Sequence, residues 1–336
     1  METVRAFAPG RVNLIGDHTD YTGGLVLPMA IGMGTTVEGR RGGTSVRLSS
    51  DAFPGEGVVF ELPVTGPVEV PEWGRYALEV ARGLGAVEGF EGRVASDLPI
   101  GAGLSSSASL EVAVALALGF RGTPRGLAEL CQAAEQRASG VPCGVMDQLA
   151  AAAGVAGHAL LIDCSDLSVR AVPVPASAQI VVVPSGEVRR LAGSPYSERR
   201  QAGQAAEVLV GPLRSASPEA VEGIEDPLLR ARARHVVTEN ARVATCAAAL
   251  TEGDLVRAGE LMAESHRSLA VDFEVSTPVL DDLVADLSAR PGVYGARLTG
   301  AGFGGCVVAL TRPGALDRGW RVAPAGGAHV TGGGGG

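Results

Sequence analysis

Between Pro99 and Ala108 the chain reads Pro-Ile-Gly-Ala-Gly-Leu-Ser-Ser-Ser-Ala, and nowhere in its 336 residues is there a lysine. Phe90 to Ser96 reads as a strand before this loop, and the apolar run Leu110, Val112, Ala113, Val114, Leu116, Ala117, Leu118 reads as a buried helix of about fifteen residues after it. A glycine turn opening onto a helix leaves several N–H groups without partners at the positive end of the helix dipole. Such a turn can hold an anion with no cationic side chain. The candidate cradle is Gly101, Ala102, Gly103, Leu104, Ser105, Ser106 and Ser107, whose hydroxyls can cap amides or reach a metal ion. Glycine and serine also punctuate ordinary strand-to-helix turns, so the loop by itself leaves both readings open. The missing lysine removes a Walker-type P-loop, a protein kinase and Schiff-base chemistry.

With 46% hydrophobic residues the chain can bury a sizeable core, and its length suits about two domains. A net charge of −9 argues against nucleic acid or an anionic membrane as the main partner. The first residues show no basic start with an apolar run behind it, and the weakly polar run from Leu149 to Ile162 is too short to span a bilayer. Cys131, Cys143, Cys164, Cys246 and Cys306 are odd in number and scattered, which reads as buried thiols in a reducing cytoplasm.

The first hundred residues predict short strands at Val4 to Ala8, Leu25 to Met33, Thr35 to Gly39, Ser45 to Ser49 and Val58 to Leu62, with a helix from about Tyr76 to Leu84. Thr123-Pro124 reads as a helix cap with proline at the first helical position, and another helix starts near Gly144. Strands return at Ala159 to Asp163 and Gln179 to Val183. Past about residue 185 the pattern turns helical, at Glu198 to Val210, Leu228 to Leu250, Asp254 to Leu269 and Pro278 to Ala289. Tyr294 to Leu298 and Cys306 to Leu310 read as strands around the glycine-dense turn 299–305. The division expected is 1–178 and 179–330, with a disordered glycine tail at 331–336.

Gly10-Arg11-Val12-Asn13-Leu14-Ile15-Gly16-Asp17-His18-Thr19-Asp20-Tyr21 packs Arg, two Asp, His, Asn and Thr among apolar residues. Polar groups so placed are costly unless they serve one another or a ligand. A hydrogen-bonded turn with Asp17 and Asp20 as caps is one reading. A polyol site is the other, because sugar hydroxyls need donors and acceptors at close spacing.

This run resembles the galactokinase signature, and 99–108 and 299–305 resemble the other two motifs of that family, in the same order. The likeness extends to Trp73-Gly74-Arg75-Tyr76, Gly140-Val141-Pro142-Cys143-Gly144-Val145-Met146-Asp147-Gln148, Tyr196-Ser197-Glu198-Arg199-Arg200 and His235-Val236-Val237-Thr238-Glu239-Asn240. Galactokinases are GHMP small-molecule kinases. The resemblance implies an α+β fold of two lobes with the site between them, a ribosomal-protein-S5-like N-terminal domain carrying the sugar signature and phosphate loop, and a ferredoxin-like C-terminal domain. It implies ATP-dependent phosphorylation of α-D-galactose at the anomeric hydroxyl by a cytoplasmic monomer.

By the same resemblance Asp147 takes the proton from that hydroxyl, with Arg11 beside it and the γ-phosphate. Asp17, His18, Thr19, Asp20, Gly144 and Tyr196 form the sugar set, and Ser107 and Glu135 bind Mg²⁺. Read without the family, Asp147 is a helix-start carboxylate, Glu135 a solvated helix residue and Tyr196 a half-buried aromatic. Asp17 stands where most of the family has Glu, which withdraws the carboxylate by roughly 1.5 Å. That departure motivates an alternative, a sugar 1-kinase for another hexose or a pentose. A non-catalytic sensor of galactose and ATP is a third reading, against which the retained Arg11, Ser107, Glu135 and Asp147 argue.

Overall fold

The computed structural model describes residues 3–99, 101–187 and 194–331. Its first half runs β1 (Thr3–Asn13), β2 (Leu25–Val26), β3 (Pro28–Arg41), β4 (Ser45–Ser50), β5 (Val58–Glu61), α1 (Gly74–Leu84), β6 (Phe90–Ser96), α2 (Ser106–Ala117), α3 (Pro124–Ser139), α4 (Met146–Ala153), β7 (His158–Asp163) and β8 (Ser168–Pro173). The second half adds β9 (Gln179–Pro184), α5 (Ser194–Val210), α6 (Pro218–Glu222), α7 (Pro227–Glu252), α8 (Leu255–Val271), α9 (Pro278–Ser288), β10 (Val293–Thr299), β11 (Cys306–Thr311), β12 (Trp320–Val322) and β13 (His329–Thr331).

Three sheets organise these elements. A six-stranded sheet has the order β13-β1-β3-β6-β4-β5, and a three-stranded one the order β2-β7-β8. The four-stranded antiparallel sheet β10-β11-β9-β12 carries α8 and α9 on β10. The α2 helix is largely apolar and mostly buried, and it lies in the middle of the first half, against β1 and β3 and between α1, α3 and α4. Helix starts follow their local chemistry. Thr123, Ser217, Asp226 and Thr277 each accept a backbone N–H with a side-chain oxygen, and each is followed by proline at the first helical position.

Several sequence expectations need correction. The strand read at Val4 to Ala8 continues to Asn13, with a register shift between Pro9 and Arg11, so Arg11 stands on a strand and not in a turn. The strands read at Leu25 to Met33 and Thr35 to Gly39 are the short β2 followed by one strand of 14 residues, because β1 pairs with β3 through both halves. Strand β8, mostly exposed and without apolar alternation, escaped the reading. Thr331 was expected in the tail, yet it pairs with Arg5 and ends β13. The glycine run 332–336 lies outside the described residues. The five cysteines are free thiols, but Cys143 and Cys164 are only half-buried. No helix among the described residues is long and apolar enough to cross a membrane.

Candidate active site

The phosphate loop is built on left-handed backbone. Gly101 and Gly103 both have φ of +76°, a region glycine enters without penalty, and Ser105 follows at +61°. Ser105 stands at the N-cap of α2 but makes no capping bond with its side chain, which leaves the first-turn amides of α2 to an incoming anion. The loop is fastened to β1, where the Arg11 amide donates to the Leu104 carbonyl at 3.1 Å.

Strand β1 and helix α4 then bring together a cation and a carboxylate that are 136 residues apart. Arg11 grips Asp147 with a two-pronged contact, Nε to Oδ1 and Nη2 to Oδ2, each at 2.7 Å. Its third arm donates to the Gly103 carbonyl at 2.6 Å, and Ser105 Oγ donates to Asp147 Oδ2 at 2.5 Å. Burial by itself would weaken the Arg11 charge; the charge of Asp147 and its hydrogen bonds reverse that and raise its pKa. The Asp147 side chain keeps 28% of its surface open, against 4% for Arg11, so the carboxylate is the member of the pair that a substrate can reach.

Beside this pair Ser107 Oγ donates to Glu135 Oε1 at 2.7 Å. Gln148, the residue after Asp147, donates through Nε2 both to Glu135 and to Glu111 Oε2. Burial, then the charge of Asp147, pushes the Glu135 carboxyl up. A hard cation suits this place, because it would repay the cost of an ionised buried carboxylate and take both oxygens. Among the described residues no group of three or more His, Cys, Asp or Glu could hold a metal alone.

The sugar signature wraps the other side. Asp20 opens a single 3-10 turn, Asp20–Thr22, and lies against Gly144, where an added Cβ would stand 1.8 Å from Asp20 Oδ2. Burial, followed by the charges of Asp147 and Asp17, raises the Asp20 carboxyl to about 7. Tyr196 on α5 faces His18 and Tyr21, with ring centroids 5.8 Å apart in both cases. His18 is spanned between Tyr21 Oη at 2.9 Å and the Ala301 carbonyl at 3.2 Å, so its Nε2 carries a proton. Thr19 is fully buried, its hydroxyl placed between the carbonyls of Gly16 and Leu25. Asp17 points into the fold: Oδ1 accepts from the Gly300 amide at 3.0 Å, and Oδ2 lies 2.6 Å from Arg297 Nη2 in an ion pair not aligned as a hydrogen bond.

Arg297 and Phe273 stand outside the motifs quoted from the sequence, whereas Tyr21, Arg199, Arg200, His235 and Glu239 fall inside them with no role assigned. Tyr21 and Phe273 complete the aromatic wall, Phe273 lying between His18 and His235 at 4.7 and 4.6 Å. Arg199 and Arg200 tie α5 to the carbonyls of Phe273 and Pro142. Glu239 on α7 accepts from the Gly16 amide, and His235 reaches the Asp17 carbonyl. Arg297 stands two residues before the glycine-dense turn, which is a usable signal. Phe273 had none, being one apolar residue among many.

A glycine-serine loop at a helix start, a carboxylate clamped by arginine beside it and a wall of polar and aromatic groups are the parts a small-molecule kinase needs, and comparison with known proteins gives the class. A model described as GHMP kinases N terminal domain matches residues 74–155, and one described as GHMP kinases C terminal matches 246–328. The Galactokinase galactose-binding signature matches residues 2–41. The chain is 45% identical over 331 residues to the galactokinase of Chloroflexus aurantiacus, covering 93% of this chain and 85% of that protein. It is 43% identical to the human galactokinase over 94% of this chain and 85% of the other. The crystal structure of Lactococcus lactis galactokinase, solved with galactose, superposes with a TM-score of 0.90 at 33% identity, covering 98% of this chain and 95% of that one. A mevalonate kinase structure at 20% identity and a TM-score of 0.65 shares the fold. The chain belongs to the galactokinase family.

Proposed function

We propose that this enzyme transfers the γ-phosphoryl group of ATP to the anomeric hydroxyl of α-D-galactose, giving galactose 1-phosphate and ADP. The observation that carries the reading is the Arg11–Asp147 clamp fixed against the phosphate loop through Gly103 and Ser105. An alcohol is a poor nucleophile near neutral pH, and a positioned carboxylate that accepts its proton raises the electron density on the attacking oxygen. The O–H bond breaks toward Asp147, the new O–P bond forms, and the bond from γ-phosphorus to the bridging oxygen breaks to release ADP. Arg11 stays charged throughout and stabilises negative charge as it builds on the transferring group. The amides of the loop and of the α2 start hold the other phosphates. Ser107 and Glu135 would hold Mg²⁺, which supplies charge neutralisation at the phosphates.

For the acceptor, Asp20, Gly144 and Tyr196 are the sugar-reading groups: Asp20 lies against Gly144, and Tyr196 lies against His18 and Tyr21. His18 packs against Tyr196, while Thr19 is held by the Gly16 and Leu25 carbonyls and Asp17 by Gly300 and Arg297. Asp17 is engaged by Arg297 and Gly300, and ADP release across a panel of free sugars separates galactose from another hexose or a pentose as the acceptor. The enzyme acts in the cytoplasm as a monomer.

The decisive test removes the carboxylate. Asp147→Ala, with Asp147→Asn as the variant that keeps shape, should lower turnover by roughly a hundredfold to ten-thousandfold while ATP affinity stays within about twofold. Undiminished turnover of galactose in both variants would take Asp147 out of the mechanism.

A further inference from the structure

Ser105 occupies the N-cap of α2, the position where a serine normally uses extended backbone and bonds an amide of the first turn. Here its backbone is left-handed, at φ +61° and ψ +52°, and no capping bond forms. That conformation is strained for any residue with a Cβ, and glycine would adopt it freely. The same loop already uses glycine at φ +76° twice, at Gly101 and Gly103. A strained backbone and a forfeited cap therefore coexist with one gain, the 2.5 Å contact from Ser105 Oγ to Asp147 Oδ2.

The three contacts on the Asp147 carboxylate are distributed unequally. Oδ2 receives Arg11 Nη2 and Ser105 Oγ, whereas among the described residues Oδ1 receives Arg11 Nε alone. A carboxylate oxygen accepts two hydrogen bonds in its plane, so Oδ2 is saturated and Oδ1 has one lone pair left. We infer that the Ser105 hydroxyl is a positioning group for Asp147 and not a phosphate ligand, and that it fixes the carboxylate so that Oδ1 takes the proton of the sugar hydroxyl. This rests on the reading of Asp147 as proton acceptor. The serine gives its amide to the phosphate side of the loop and its side chain to the acceptor side, joining the two halves of the reaction at one residue.

Ser105→Gly and Ser105→Ala separate hydroxyl from backbone. Both lose the hydroxyl, but only glycine relieves the strain. The expected result is a kcat ten- to a hundredfold lower in both, with KM for ATP and galactose and the calorimetric affinity for a non-hydrolysable ATP analogue within about twofold of the parent. The Gly variant should melt no lower than the parent, which separates the loss from misfolding. In an Asp147→Asn background, Ser105→Gly should change residual turnover by less than twofold, since the group it positions is gone. A kcat within twofold of the parent for Ser105→Gly overturns the inference, as does a tenfold weaker grip on the ATP analogue, which would make the hydroxyl a phosphate ligand. If Asp147→Asn itself turns over normally, it is the proton-acceptor reading that fails; if that variant is inactive while Ser105→Gly is normal, only the role of Ser105 falls.

Discussion

Asp20 carries the clearest pH signature at the level of single residues. Burial, with Asp147 and Asp17 adding negative charge and Arg11 partly offsetting it, raises this carboxyl to about 7. Sugar hydroxyls that donate to Asp20 favour its ionised form, so below pH 7 the free enzyme must lose a proton on binding. Galactose affinity is then expected to fall by up to about tenfold per pH unit as pH drops from 7 toward 5. Asp20→Asn should bind more weakly at pH 8 but lose most of that slope. Titration calorimetry between pH 5.5 and 8 checks both, and a parent enzyme with flat affinity would contradict the role given to Asp20. The sign for folding is the opposite. The raised carboxyl contributes stability below its unfolded value near 4, and that contribution is lost as pH rises through about 7. Asp17 and Asp20 illustrate what residue type leaves open: both are acidic and three apart in the same signature, yet one meets a buried arginine and the other lies against Gly144.

Among the elements, α8 and β10 approach most tightly where glycine meets glycine. A Cβ on Gly259 would stand 2.2 Å from the Tyr294 carbonyl, and one on Gly295 would stand 2.1 Å from the Gly259 carbonyl. Alanine normally improves a helix interior by about 1 kcal/mol over glycine. Here the obstacle is backbone, which cannot step aside without moving the helix, so the clash decides the sign. Gly259→Ala should cost about 1–3 kcal/mol in urea unfolding, and a neutral or stabilising result would mean that α8 sits less firmly on β10 than described. At this scale the sequence was legible wherever local chemistry dominates. Thr123-Pro124 marked the start of α3 as it stands, and the helical runs after residue 198 gave α7, α8 and α9 to within a few residues. Strand extent was not legible in the same way. β3 spans Gly32 and Gly34, which break the apolar pattern, and only pairing with β1 and β6 keeps it continuous. β13 is three exposed residues whose existence depends on the free edge of β1, over three hundred positions earlier.

Taken as a whole, the molecule ties its first signature to its last third through buried polar bonds. Arg297, with no exposed surface, pairs with Asp17 and donates to the Leu14 carbonyl. Thr299 donates to the Asn13 carbonyl, and Glu239 receives the Gly16 amide. Burial holds the His235 imidazole down to about 4, so it is neutral at pH 7 and can bridge Ser268 and the Asp17 carbonyl. Breaking such an arrangement from one side leaves a charge buried alone. Arg297→Leu should therefore cost about 3–5 kcal/mol, while pairing it with Asp17→Asn should recover part of the loss. Denaturant unfolding of the single and double variants measures this, and additive losses would mean that Asp17 and Arg297 do not act as a pair.

The linear sequence determined the chemistry on offer. Its lack of lysine and its glycine and serine loop point any phosphate binding to backbone amides, and its three ordered motifs carry the galactose-binding signature and the family to which the chain belongs. Those are properties of neighbouring residues, and neighbours interact whatever the distant chain does. The tertiary structure alone decided which carboxylate faces arginine across 136 positions, which turns inward to Arg297, and why Ser105 gives its hydroxyl to Asp147 instead of capping its own helix. Such choices are made by contacts between segments remote along the chain, whose energies exist only once the core has brought them together.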